Sequence, residues 1–101
     1  ILLLGLAYKR NTGDARESPS RPIARQLVTL GADVRVADPH TDDQTPAGTI
    51  RVEASPAEAA AADLVVLLVD HDAFALDDLA ASASHVLDCR RRITGDHVEA
   101  L

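Results

Sequence analysis

Four runs of apolar residues divide the chain, and polar segments with helical spacing separate them. Residues 1–7 (ILLLGLA) and 63–69 (DLVVLLV) are continuous, residues 33–37 (DVRVA) alternate, and residues 85–89 (HVLDC) are short. Continuous apolar strands predict a sheet buried on both faces. Between them, Ser18-Pro19 reads as a helix start, because Ser accepts a backbone N–H and Pro has none to lose. Ile23, Leu27 and Leu30 follow at helical spacing, and Gly31 supplies the stop. Ser55-Pro56 repeats the start signal ahead of residues 57–62, and a less regular pattern over 73–83 predicts a third helix. Residues 38–48 (DPHTDDQTPAG) read as a polar loop. The order β-α-β-loop-α-β-α-β predicts an α/β fold with a mainly parallel sheet of about four to five strands and right-handed crossovers.

Composition narrows this picture. The 101 residues fit one domain over positions 1–101, and 47% hydrophobic content suffices for a packed core. Aromatics are only 2%, so that core must be aliphatic. A net charge of −6, with no basic stripe interleaved with aromatics, argues against nucleic acid as a partner. No apolar run approaches the ~20 residues a membrane helix needs, and the opening run, without a basic leader or a small-residue cleavage site, is not expected to be a signal peptide. A single Cys excludes an internal disulfide and fits a reducing, cytoplasmic location. The sequence opens at Ile1, already inside an apolar strand, and we expect a piece of a longer protein.

Candidate chemistry concentrates at strand ends. Lys9 is the single lysine beside nine arginines, and it stands where the first strand runs into a polar loop. Open α/β sheets bind ligands at such carboxyl ends, and a compact ammonium suits a sugar or phosphate oxygen. An ordinary solvated base is the other reading of Lys9. A dinucleotide-binding unit would need a G-x-G-x-x-G turn so that backbone can approach a pyrophosphate. Here the turn reads Gly5-Leu6-Ala7-Tyr8-Lys9, with bulk in place of glycine. Asp38, which ends the second strand, is then a turn residue before Pro39 rather than a ribose-binding acid. A phosphoacceptor domain of the receiver type would need acids after the first strand to hold Mg²⁺, and none is there. Asp70-His71-Asp72, and His40 near Asp38, Asp42 and Asp43, lack a recognised metal-ligand spacing and read as solvated loop and helix-cap residues. Cys89 could be activated by Arg90-Arg91-Arg92, but a lone Cys in an apolar strand reads as a small buried hydrophobe. A parallel sheet puts the end of the fourth strand on the same edge as Lys9. Lys9, Arg16 and Arg90 are thereby candidates for one anion site, with a merely solubilising basic run as the alternative.

These residues also carry a family likeness. Gly5-Leu6-Ala7-Tyr8-Lys9, Asn11-Thr12, Asp14 and Arg16-Glu17-Ser18-Pro19 resemble the signature that opens the C-terminal, UDP-binding domain of the UDP-glucose/GDP-mannose dehydrogenase family. Residues 34–40 (VRVADPH), residues 63–69 with His71 and Phe74, and Asp88-Cys89-Arg90 are similar to later segments of that domain, in the same order. Gly13 departs from it, standing where many members have Asp. The resemblance implies a three-layer Rossmann-like or flavodoxin-like fold. It also implies an NAD-dependent enzyme that oxidises the C6 alcohol of a UDP-sugar (UDP-glucose or UDP-N-acetylhexosamine) to the uronic acid. By the same likeness, Tyr8, Lys9 and Arg90 would contact the nucleotide sugar, and Arg16 would reach NAD held by another domain. The partners implied are the NAD-binding and central domains of a parent chain that is a homodimer or larger. The catalytic Cys of the family lies in a motif absent here, so no catalytic residue is expected in this chain. The alternative is a stand-alone or degenerate nucleotide-sugar-binding or protein-interaction module without catalysis.

Overall fold

The computed structural model describes residues 1–7, 18–40 and 45–101. Among these residues, six strands form one sheet: β1 (Leu2–Leu4), β2 (Arg35–Ala37), β3 (Ile50–Arg51), β4 (Val65–Leu67), β5 (Val86–Asp88) and β6 (Val98–Ala100). Every pairing is parallel and the spatial order is β3-β2-β1-β4-β5-β6. Leu3 on β1 lies opposite Val36 on one side and Val66 on the other, so the central strand is covered along both edges.

Among the described residues, three helices complete the layers: α1 (Ser20–Thr29), α2 (Pro56–Ala61) and α3 (Leu76–Ser82). Pleating sends alternate side chains to opposite faces. Leu2, Leu4, Val65, Leu67 and Val86 therefore meet Ala59 of α2 and Leu79 and Ala80 of α3, in a cluster that also holds Phe74. Leu3, Val36 and Val66 meet Ala24, Leu27 and Val28 of α1 on the other face. The core is aliphatic, as composition requires, and the architecture is the three-layer α/β fold expected.

The helix ends follow the local signals. Ser18 Oγ accepts the Ser20 N–H at 3.2 Å and Pro19 precedes α1 in helical backbone, so the Ser-Pro start works as read. At the far end, Gly31 N–H donates to Val28 O and Ala32 N–H to Leu27 O, a Schellman closure made possible by Gly31 at φ +95°. Ser55 Oγ accepts the Glu58 N–H at 3.2 Å, and Pro56 opens α2. The third helix is shorter than residues 73–83 and occupies Leu76–Ser82.

The strand count corrects the expected four to five. β3 and β6 are the two edges of the sheet, of two and three residues. Ile50 and Arg51 are exposed, and Val98, Glu99 and Ala100 are half-buried or exposed. An edge strand buried on neither face carries no continuous apolar run, so the pattern that marks β1 and β4 is absent from it. Among the described residues, no helix is long and apolar enough to cross a membrane.

Candidate functional site

In this strand order the chain leaves β1 toward α1 on one face and leaves β4 toward α3 on the other. The carboxyl ends of β1 and β4 thus border the crevice where open α/β sheets bind ligands. Gly5 stands there at φ +107°, and a Cβ on it would lie 2.6 Å from Val69 Cβ and 2.7 Å from Val69 N. Only glycine permits both that backbone and that approach.

Beyond Gly5, the backbone is captured by one side chain. Asp38 Oδ2 accepts the N–H groups of Leu6 at 2.7 Å and Ala7 at 2.9 Å, and Asp38 Oδ1 accepts the His40 N–H at 2.8 Å. His71 Nε2 lies 2.9 Å from Asp38 Oδ2, with both side chains fully buried. A carboxylate only accepts, so Nε2 carries the proton and donates. Burial pushes the Asp38 carboxyl up, but the N–H donors of Leu6, His40 and Ala7, with His71, outweigh it and hold it below its ordinary value. Asp38 is indeed a turn residue, through its bond to His40, but it also joins the ends of β1, β2 and β4. His71 corrects the expectation of a solvated loop: its ring packs at 4.5 Å from His40 and 5.5 Å from Phe74. Its flanks Asp70 and Asp72 disguised it, whereas the i, i+3 spacing to Phe74 was the signal that could have revealed it.

A second buried carboxylate organises the end of β5. Asp88 Oδ1 accepts the Arg90 N–H at 2.9 Å, and Oδ2 accepts those of Arg92 at 2.6 Å and Ile93 at 2.7 Å. This grip holds Arg91 in left-handed backbone at φ 56°, a conformation that needs such over-determination. The exposed Arg90 side chain is aimed back along the edge, with Nε donating to Leu68 O at 2.8 Å. Arg92 Nη1 pairs with Asp70 Oδ2 at 2.9 Å. Cys89 is half-buried and packs against the α1-face cluster. Burial pushes its thiol up, Asp88 adds to this, and Arg90 only partly offsets them, so it is not an activated thiol.

Tyr8, Lys9 and Arg16 lie outside the described residues, and of the four binding residues inferred from the sequence only Arg90 is placed. The segment that carries the other three starts and finishes on described atoms, where Ser18 Oγ donates to Ala7 O at 3.1 Å. Two clefts flank the same edge. One of about 500 Å³ is lined by Asp38, Pro39, Arg51, Glu53 and Phe74, and one of about 580 Å³ by His71, Phe74, Asp77, Asp78 and Arg92. Among the described residues, no cluster of His, Cys, Asp and Glu could hold a metal ion.

At the described start of the turn after β1, the N–H groups of Leu6 and Ala7 are both taken by Asp38 Oδ2 and are not open to a phosphate. A carboxylate at that position would also repel the phosphate charge.

Comparison with known proteins agrees with this geometry. The UDP binding domain model of the UDP-glucose/GDP-mannose dehydrogenase family matches residues 2–95. A UDP-N-acetyl-D-mannosamine dehydrogenase of Methanococcus maripaludis is 40% identical over 75 residues, covering 73% of this chain and 16% of its own. An NDP-N-acetyl-D-galactosaminuronic acid dehydrogenase of Ralstonia nicotianae is 43% identical over 95 residues, covering 89% of this chain and 22% of its own. The crystal structure of an NDP-N-acetyl-D-galactosaminuronic acid dehydrogenase from Methanosarcina mazei superposes with a TM-score of 0.76 at 23% identity. That match covers 98% of this chain and 24% of the other, and it shows the fold alone. The chain therefore spans no more than about a quarter of the length of these relatives. With its glycine turn, its buried Asp38 and Asp88 and its parallel sheet, the chain belongs to the UDP-glucose/GDP-mannose dehydrogenase family, as its UDP binding domain.

Proposed function

We propose that this chain is the C-terminal domain of an NAD-dependent dehydrogenase that oxidises the C6 alcohol of a UDP-sugar to the uronic acid. Two hydrides leave C6, each reducing one NAD, and water supplies the second carboxylate oxygen. The domain binds the nucleotide sugar along the carboxyl edge of its sheet and closes over the reacting centre, excluding bulk water. A UDP-N-acetylhexosamine is the favoured substrate, since one relative is named for UDP-N-acetyl-D-mannosamine and another for an N-acetyl-D-galactosaminuronic acid nucleotide.

One observation carries this reading: Arg90 is fixed at the mouth of the switch-point crevice. Its Nε is held by Leu68 O, and its backbone by Asp88, which aims the guanidinium without consuming its Nη groups on any described residue. A guanidinium so oriented is ready for a bidentate bond to a phosphate or carboxylate. Tyr8 and Lys9 would complete the nucleotide-sugar contacts from the β1 side, and Arg16 would reach NAD held on a separate domain. NAD itself would be held by that other domain, since the turn sequence here lacks the G-x-G-x-x-G glycines and the N–H groups of Leu6 and Ala7 are taken by Asp38.

The test is steady-state NADH production by the intact protein with UDP-sugars, comparing wild type with Arg90→Ala and Lys9→Ala. Both variants are expected to raise the KM for the UDP-sugar by roughly tenfold or more, the scale of one charge-assisted contact. A wild-type protein that binds UDP but reduces no NAD would establish the module without catalysis instead.

A further inference from the structure

The chain beyond β5 folds back onto one carboxylate. Asp88 is fully buried and accepts the N–H groups of Arg90, Arg92 and Ile93. An extended chain would carry Ile93 roughly 16 Å from Asp88, yet its N–H lies 2.7 Å from Asp88 Oδ2. The return passes through Arg91 at φ 56°, a left-handed conformation that a non-glycine residue keeps only where its surroundings over-determine it. The turn also sorts three consecutive arginines. Arg90 and Arg92 reach the chain beyond β4, at Leu68 O and Asp70 Oδ2, whereas Arg91 Nε donates the other way, to Leu101 O next to β6. Leu101 N–H in turn donates to Asp88 O, so the turn is tied to both neighbouring strands.

Resting on the binding role proposed for Arg90, we infer that Asp88 and the left-handed turn at Arg91 are the positioning device of the Arg90 guanidinium. Asp88 itself does not touch the ligand, because it is buried and its two oxygens are turned to backbone N–H groups. It acts through Arg90. The Arg90 side chain is long and exposed, and the bond from its Nε to Leu68 O is what gives the guanidinium one direction. That bond requires the Arg90 backbone to stand at a fixed separation from the chain beyond β4. Asp88 Oδ1, through the Arg90 N–H, sets that separation, and the Arg91 turn keeps the following residues from pulling it away. Displacing a binding group by about an ångström costs up to a hundredfold even when the mutated residue lies away from the reacting atoms.

The experiment is a double-mutant cycle in the intact protein, with the Kd for UDP read by titration calorimetry. Asp88→Asn keeps the shape and one acceptor oxygen but sets an NH2 against at least one of the three N–H donors. Combined with Arg90→Ala it separates positioning from general support of the fold. Asp88→Asn alone is expected to raise the Kd roughly tenfold, and never beyond the loss seen in Arg90→Ala. Added to Arg90→Ala it is expected to change the Kd by less than about twofold, the range within which independent effects add. A folded Asp88→Asn protein with wild-type Kd overturns the inference. So does an equal rise in both backgrounds, which would make Asp88 a purely structural carboxylate. Should Asp88→Asn not fold, Arg91→Pro takes its place in the same cycle. Proline holds φ near −65° and cannot adopt the left-handed turn, and position 91 is exposed. A Kd raised severalfold only where Arg90 is present supports positioning, and an unchanged Kd rejects it. Arg90→Ala with wild-type Kd would instead strike the binding role of Arg90 itself, and so is told apart from failure of the Asp88 and Arg91 variants.

Discussion

Four donors converge on Asp38, three on Oδ2 and one on Oδ1. Because its folded pKa is depressed, the stability it contributes is complete above the ordinary carboxylate range and is lost as pH falls through the folded value. Unfolding midpoints in urea are expected to decline below about pH 4, and Asp38→Asn to flatten that acid limb. At neutral pH the same variant is expected to lose at least about 2 kcal/mol, since it strands buried donors. Gly5 makes a second residue-scale case. Gly5→Ala meets Val69 backbone and side chain within 3.0 Å and adopts φ +107°, so a loss of about 3 kcal/mol or more is expected. Gly31→Ala, at φ +95° with nothing within 4 Å, is expected to cost only about 1–2 kcal/mol. Thermal unfolding of the pair separates close approach from backbone conformation, and equal losses would show that Val69 yields.

Among the elements, α2 is the most dependent on its cap. It has six residues, PAEAAA, and its side chains bury only Ala59. Ser55→Ala removes the acceptor of the Glu58 N–H and is expected to destabilise the fold by about 1 kcal/mol, read as a lower urea midpoint with unchanged slope. Both Ser-Pro starts and the Gly31 stop were legible in the sequence, because capping is decided within three or four residues. The central strands were legible because burial on both faces leaves an uninterrupted apolar run. β3 and β6 were not, since an edge strand is defined by its neighbour rather than by its own composition. His71 was only half legible: its spacing to Phe74 was a local signal, but its hydrogen-bond partner Asp38 lies 33 positions away, and no local pattern encodes that pairing. Arg90 was legible as a base at a strand end; the Leu68 carbonyl that aims it was not.

At the scale of the whole molecule, the described start of the turn after β1 has its N–H groups taken by Asp38, and Cys89 is not an activated thiol. Purified residues 1–101 supplied with NAD and a UDP-sugar are therefore expected to give no NADH, monitored at its absorbance maximum. Turnover by this piece alone would mean that the chemistry lies here and that Cys89 had been misjudged. The topology has another consequence, for the order of synthesis. β1 is made first yet sits in the middle of the sheet, between β2 and β4. Its second neighbour, β4, is translated roughly 60 residues later, which takes several seconds at about 5–20 residues per second. During that interval the nascent Leu2-Leu3-Leu4 edge has at most one partner. A ribosome-bound chain halted before β4 has emerged would consequently present an open, apolar strand edge to chaperones, and the same chain halted after β4 is fully outside the ribosome would not.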